Sequence, residues 1–213
     1  MITVLDYDAG NLASLAGALE RLHLSAKVAK DASEVPANPG VLVLPGVGHF
    51  HAAKEALVAR GLWDVCARAV RENKPLVGIC LGMQLLAEGS DEAPGVTGLG
   101  AFRGHAARLE PGPATEATAV KVPHMGWSRV EGRTLPSYLG EVPEWLYFVH
   151  SYAVPITEDT ALAATHGVAF SAALARGNVF GVQAHPERSG ERGQRLLGDV
   201  LVGLAQKNGA SCS

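Results

Sequence analysis

The stretch Pro75-Leu76-Val77-Gly78-Ile79-Cys80-Leu81-Gly82-Met83-Gln84 decides the fold. Pro75 to Ile79 is an apolar run that suits a strand buried on both faces. From Leu81 to Glu88 the apolar residues instead recur at helical spacing. Strand therefore turns straight into helix at Cys80. Val41-Leu42-Val43-Leu44 is a second buried run, stopped by Pro45-Gly46-Val47-Gly48, with helical stretches after it at Phe50–Ala59 and Leu62–Glu72. Upstream, Met1–Tyr7 reads as a strand, Asp8–Asn11 as a turn, and Leu12, Leu15, Ala16, Leu19 and Leu22 as a helix face. Ala26–Ala29 is a short strand candidate and Pro36–Gly40 a loop. Alternation of this βαβα kind builds an α/β fold, a mostly parallel sheet with helices on both faces.

From Ser90 onward the texture changes, with frequent Gly and Pro. Short strand candidates lie at Ala119–Val122, Leu146–Val149, Ala161–Thr165 and Val179–Gln183, and Leu196–Ala205 closes the chain as a helix. This half reads as an antiparallel extension of the same sheet, which makes the whole sheet mixed. With no repeat and no long linker, the chain reads as one domain over residues 1–207 and a polar tail over 208–213.

A chain of 213 residues buries an adequate core without disulfides. Its 18% of charged residues is below the ~25% usual for globular domains, which favours a surface partly hidden against a partner. A net charge of −3 argues against nucleic-acid binding, which needs a basic field. No run is long and apolar enough to suggest a membrane span. The N-terminus lacks a basic region, and Asp6 and Asp8 break its apolar stretch, so a cytoplasmic chain is expected. Cys66, Cys80 and Cys212 form neither an even set nor a CxxC pair, which excludes a disulfide framework or zinc knuckle. Cys66 falls on a helix face and reads as core, and Cys212 lies in the tail.

Cys80 is different. In Gly78-Ile79-Cys80-Leu81-Gly82 it occupies the thiol version of the nucleophile elbow, where a tight strand-to-helix turn demands small neighbours. The turn would lift the sulfur to a helix N-terminus, where the backbone dipole favours thiolate. The other reading is a core thiol beside two turn-forming glycines, and the two stand level at this point. A nucleophile needs a base. Of eight histidines, His23 lies near a helix end, and His105 and His166 read as loop residues. His49 and His51 form an H-x-H with nothing nearby to complete a metal site, so neither metal nor cofactor is expected. His185 follows the apolar run Val179–Ala184 and precedes Pro186-Glu187, so Glu187 can hold its ring while the other nitrogen faces a thiolate. The bland alternative for His-Pro-Glu is a surface turn. Pro45-Gly46-Val47-Gly48 ends a buried strand, at the sheet edge where open α/β folds bind ligands, and can aim backbone N–H groups inward.

Gly-Ile-Cys80-Leu-Gly-Met-Gln84, His185-Pro-Glu187 and the upstream Pro-Gly-Val-Gly-His-Phe turn occur in the order found in the class I (triad) glutamine amidotransferases, which the whole chain resembles. That family has a flavodoxin-like fold. Asp6-Tyr7-x-Ala-Gly-Asn11-Leu12 and Pro123-His124-Met125-Gly126-Trp127 are similar to its branch that serves as glutaminase subunit of imidazole glycerol phosphate synthase. Asp8 departs from that pattern, because many relatives have glycine there. The resemblance implies that Cys80 attacks the glutamine carboxamide, that His185 with Glu187 handles the protons, and that backbone N–H groups of Leu81 and the Val47–Gly48 turn meet the oxyanion. It implies that Gln84, His150, Ser151 and Tyr152 hold the amino-acid end of L-glutamine. It further implies a heterodimer with a (β/α)8-barrel cyclase that receives the ammonia, forming imidazole glycerol phosphate and aminoimidazole carboxamide ribotide in histidine biosynthesis. Asn11, Met125, Trp127 and Tyr138 are candidates for that interface, with core packing as the other reading of Met125 and Trp127. The glycine freedom of Val47–Gly48 lets docking reorient that turn. Competing readings are a glutaminase for a purine, anthranilate or pyridoxal phosphate synthase, a stand-alone γ-glutamyl hydrolase, and an inactive interaction subunit.

Overall fold

The computed structural model describes residues 1–110 and 120–209. In chain order the elements begin with β1 (Ile2–Leu5), α1 (Leu12–Arg21), β2 (Ala26–Ala29) and β3 (Val41–Gly46). Then come α2 (Phe50–Ala59), α3 (Leu62–Arg71), β4 (Leu76–Cys80) and α4 (Leu81–Leu86). The middle of the chain supplies β5 (Gly89–Ser90), β6 (His105–Arg108), β7 (His124–Gly132), β8 (Trp145–His150) and β9 (Tyr152–Ala153). It ends with β10 (Thr160–His166), β11 (Val168–Arg176), β12 (Val179–Val182) and α5 (Gly190–Lys207).

Nine strands form one sheet in the order β2-β1-β3-β4-β12-β11-β10-β7-β8. Pairing is parallel from β2 through β12 and antiparallel from β12 to β8. A smaller sheet joins β5, β6 and β9. The alternation of β3 shows why helices cover both faces. Val41 and Val43 enter one core with Leu15 and Leu19 of α1 and Leu197 and Leu201 of α5. Leu42 and Leu44 enter the other with Phe50 and Leu57 of α2 and Leu62 and Cys66 of α3.

The pairing of β12 with β4 positions the chemistry. Val182 lies opposite Ile79, so Cys80 at the end of β4 and Gln183–His185 just past β12 emerge side by side. Edge strand β8 also returns to this point, because His185 N–H donates to Tyr147 O at 2.9 Å and Tyr147 N–H to Ser189 Oγ at 2.9 Å.

Several local expectations change. The helix after Cys80 stops at Leu86, where the chain leaves for β5, rather than at Glu88. Residues 120–122 of the Ala119–Val122 candidate are not a strand, and pairing opens at His124, after Pro123, which has no N–H to give a ladder; Ala119 lies outside the described residues. Val168–Arg176 is a strand that spacing did not reveal, since Phe170 to Leu174 is buried without alternation. His105 and His166 sit at strand ends, not in loops. The closing helix starts at Gly190, earlier than Leu196. Asn208 caps it and bonds Asn178 and Leu204 O; 210–213, with Cys212, lie outside the described residues.

Candidate active site

Cys80 takes φ 54° and ψ −110°, a left-handed backbone that non-glycine residues adopt only when their surroundings impose it. The surroundings are tight. A Cβ on Gly82 would lie 1.9 Å from Leu44 O, and one on Gly78 would lie 2.7 Å from the Gly82 carbonyl. Strand β3 thus presses on the turn, and the two glycines let α4 start at once. Cys80 is buried yet lines a cavity.

His185 stands beside it. Its Nδ1 donates to Glu187 Oε1 at 2.8 Å, and both side chains are buried. Burial alone would lower the affinity of His185 for a proton. The neighbouring Cys80 and Glu187, both able to carry negative charge, together outweigh burial and push it up to about 10. At neutral pH the ring is an imidazolium held between a sulfur and a carboxylate. Such an arrangement can attack a carbonyl carbon and return a proton to the leaving group.

A cavity of about 290 Å³ opens over the sulfur, and Val47, Gly48, Leu81, Gln84, His150, Ser151 and Tyr152 all line it. Three larger grooves, two of about 520 Å³ and one of about 410 Å³, hold neither Cys80 nor His185. Gly48 adopts φ 101°, reserved in practice for glycine, and a Cβ there would meet nothing within 4 Å. The turn's base is rigid: Tyr7 O–H donates to Pro45 O at 2.7 Å, and burial, followed by Cys66 and Cys80, keeps the phenol protonated. Asp8, where glycine is expected, has φ 64° and is tied to Arg60, so an aspartate bears the turn that glycine would make freely.

The opposite wall is polar but uncharged. Gln84 Nε2 donates to Tyr152 O at 2.9 Å and to Gln183 Oε1 at 3.0 Å. His150 Nδ1 donates to the same carbonyl at 2.9 Å, and His150 Nε2 meets His124 Nδ1 at 3.0 Å. Burial, then a neighbouring histidine, pushes His124 down to about 4 and His150 down to about 3, so both are neutral at pH 7.

Sequence reasoning missed three residues here. Glu92 lines the cavity and accepts from Phe50 N–H, the start of α2, at 2.7 Å. Arg188 lines it too and lies over the Tyr147 ring at 5.0 Å. Gln183 is fully buried; a glutamine within an apolar strand run was the available signal. His49 and His51 are spent on α2, the first as its cap and the second paired with Glu55 at 3.6 Å.

The interface candidates separate. Met125 is 65% and Trp127 53% exposed, so they are not core. They share an outer face with Tyr147 and Trp145 of β8, and Trp127 lies directly opposite Tyr147. Asn11 caps α1 through Ser14 N–H at 3.3 Å and reaches the cavity rim. Tyr138 is not on that face: it packs on Gly203 of α5, beside Leu22 and Leu24.

Comparison with known proteins bears on this geometry. The model of the family described as glutamine amidotransferase class-I matches residues 3–204. The chain is 44% identical over 208 residues to "Imidazole glycerol phosphate synthase subunit HisH" of Deinococcus radiodurans, covering 96% of this chain and 94% of that one. It is 45% identical to the protein of the same name from Geobacillus thermodenitrificans, over 92% of this chain and 93% of that one. The corresponding protein of Methanopyrus kandleri is 42% identical over 96% of this chain and 99% of its own length. Among solved structures, one of a glutamine amidotransferase superposes with a TM-score of 0.71 at 20% identity, covering 97% of this chain and 100% of that one. PurLQS from Thermotoga maritima superposes with a TM-score of 0.62 at 20% identity, covering 94% and 96%. These two speak for the fold. No described helix is long and apolar enough to cross a membrane.

Proposed function

The chain belongs to the class-I glutamine amidotransferase family, and on that premise we propose that it is the glutaminase subunit of imidazole glycerol phosphate synthase. The observation that carries the chemistry is His185, bonded to Glu187 through Nδ1 and lining the same cavity as Cys80. The choice of synthase is supported by relatives of that name, 42–45% identical over almost the whole chain.

Glutamine enters the cavity with its carboxamide over Cys80. Glu92 offers its α-ammonium a carboxylate, and the turn His150-Ser151-Tyr152, with Gln84 behind it, seats its carboxylate end. The Cys80 thiolate attacks the carboxamide carbon. The oxyanion meets the Leu81 N–H and one from the Val47–Gly48 turn, which can rotate because glycine tolerates both backbone signs. His185 gives its proton to the departing ammonia and leaves a glutamyl thioester on Cys80. The same ring then takes a proton from water, which attacks the thioester and releases glutamate.

Ammonia set free in neutral water becomes ammonium and is no longer nucleophilic, so a closed path to a second subunit is chemically required. The apolar face of Met125, Trp127, Trp145 and Tyr147 suits docking of that subunit, a (β/α)8-barrel cyclase, in a cytoplasmic heterodimer. The test is glutamate release from glutamine by the chain alone, with the cyclase, and with the cyclase plus its ribulosyl substrate. Release should depend strongly on the loaded partner and vanish in Cys80→Ala. Full activity of the chain alone would make it an independent hydrolase instead.

A further inference from the structure

A backbone carbonyl only accepts hydrogen bonds, and that fact orients a chain of side chains through the buried wall of the pocket. Tyr152 O receives both Gln84 Nε2 and His150 Nδ1, each at 2.9 Å. The Gln84 group facing it is therefore NH2. The same NH2 lies 3.0 Å from Gln183, which must present its oxygen there. That leaves the Gln183 NH2 aimed at Cys80 Sγ, 3.7 Å away. Working outward, His150 spends its one proton on Tyr152 O, so its Nε2 is bare and accepts from His124 Nδ1 at 3.0 Å. His124 Nε2 is then bare as well, and takes the Ser128 O–H at 2.9 Å.

We propose, on the assignment of Cys80 as nucleophile, that Gln183 is a further catalytic residue: its side-chain amide donates to the Cys80 sulfur, in a direction set by Tyr152 O through Gln84.

The sheet puts Gln183 there, one residue past the Val182–Ile79 pair, as Cys80 is on the neighbouring strand. A polar side chain at zero exposure is costly unless bonded, and Gln183 has Gln84 and Cys80 as its partners. The sulfur needs such a donor, because Val149 O, an acceptor, lies 3.8 Å away and disfavours a negative sulfur. The amide favours that charge both before attack and when the thioester breaks and the thiolate leaves. The alternation of β7 adds a link: Met125 and Trp127 point to the docking face, while His124 and Ser128 engage in the chain on the pocket side.

The first test uses the unaltered chain. Proton spectra should place a side-chain N–H of Gln183 within nuclear Overhauser range of the Cys80 Hβ protons, and its absence would overturn the contact. In Gln183→Met, iodoacetamide labelling of Cys80 at pH 7, read by peptide mass to separate it from Cys66 and Cys212, should slow about tenfold, and kcat with the partner should fall alike. Gln183→Glu, the same shape with acceptors in place of donors, should be worse than Gln183→Met. Labelling at the unaltered rate in a folded Gln183→Met variant would refute the contact. If that variant does not fold, the Gln183 side-chain amide resonances of the unaltered chain serve: they should shift when Cys80 is alkylated, and unmoved resonances refute the proposal. If the Overhauser contact and the labelling behave as stated but no glutamate is released with the loaded cyclase, the glutaminase reading fails and the sulfur contact stands.

Discussion

Two walls of one pocket hold histidine in opposite states. Where β4 and β12 end, His185 lies between a sulfur and a carboxylate and is pushed up to about 10. Where β7 begins and β8 ends, His150 and His124 have each other, a hydroxyl and a carbonyl, and are pushed down to about 3 and about 4. Burial is common to both walls and favours the neutral ring in each. What differs is whether a group able to carry negative charge is buried with the ring. The parallel part of the sheet makes the wall that holds a protonated ring, and the antiparallel part makes the wall that holds neutral ones.

The largest expected effect is on the reactive wall. Cys80→Ala should lower glutamine hydrolysis by about 10⁴-fold or more. It should also bring the titration of His185, followed by NMR, back toward the ordinary histidine range; a titration that did not move would remove the sulfur from the cause of the difference. Glu187→Gln should cost about a hundredfold in kcat with little change in KM, because the ring loses its charged partner but the seat for glutamine remains. On the outer face of β7, Trp127→Ala should weaken cyclase binding about tenfold by titration calorimetry while leaving the His185 titration of the lone chain unchanged.

The smallest effect sharpens the comparison through stability. His124 and His150 are neutral when folded but take up protons when unfolded, so they favour unfolding as pH falls from about 6.5 toward about 4 and about 3. His185 acts in the opposite sense: its contribution is complete below about 6.5 and is lost as pH rises through about 10. Calorimetry should show Tm about 5–10 °C lower at pH 4.5 than at pH 7. The acid slope should be shallower in His124→Gln. An equal slope in that variant would mean that this wall is not the source of the acid sensitivity.

Much of the parallel half was legible because its signals are local. Val41–Leu44 and Leu76–Ile79 are apolar runs ended by glycine or by the elbow, and helix α2 falls at Phe50–Ala59 as its spacing indicates. The antiparallel half was read less well. β11 hides its period because both faces of Phe170–Leu174 are covered, and β7 begins only where Pro123 stops withholding an N–H. Tyr138 and Tyr147 could not be told apart by type alone. Only the pairing of β8 with β7 sets Tyr147 against Trp127, while a loop lays Tyr138 on α5.

The sequence by itself determined the elbow at Cys80, the parallel βαβα frame and the family resemblance of Cys80, His185 and Glu187, because short-range sterics and apolar periodicity are written in neighbouring residues. Only the tertiary structure decided which histidine carries a proton, where Glu92 and Arg188 join the cavity, and that Gln183 faces the sulfur. Protonation follows from burial and from partners brought in by register, and Gln183 meets Cys80 across 103 positions of chain only because β12 lies parallel to β4.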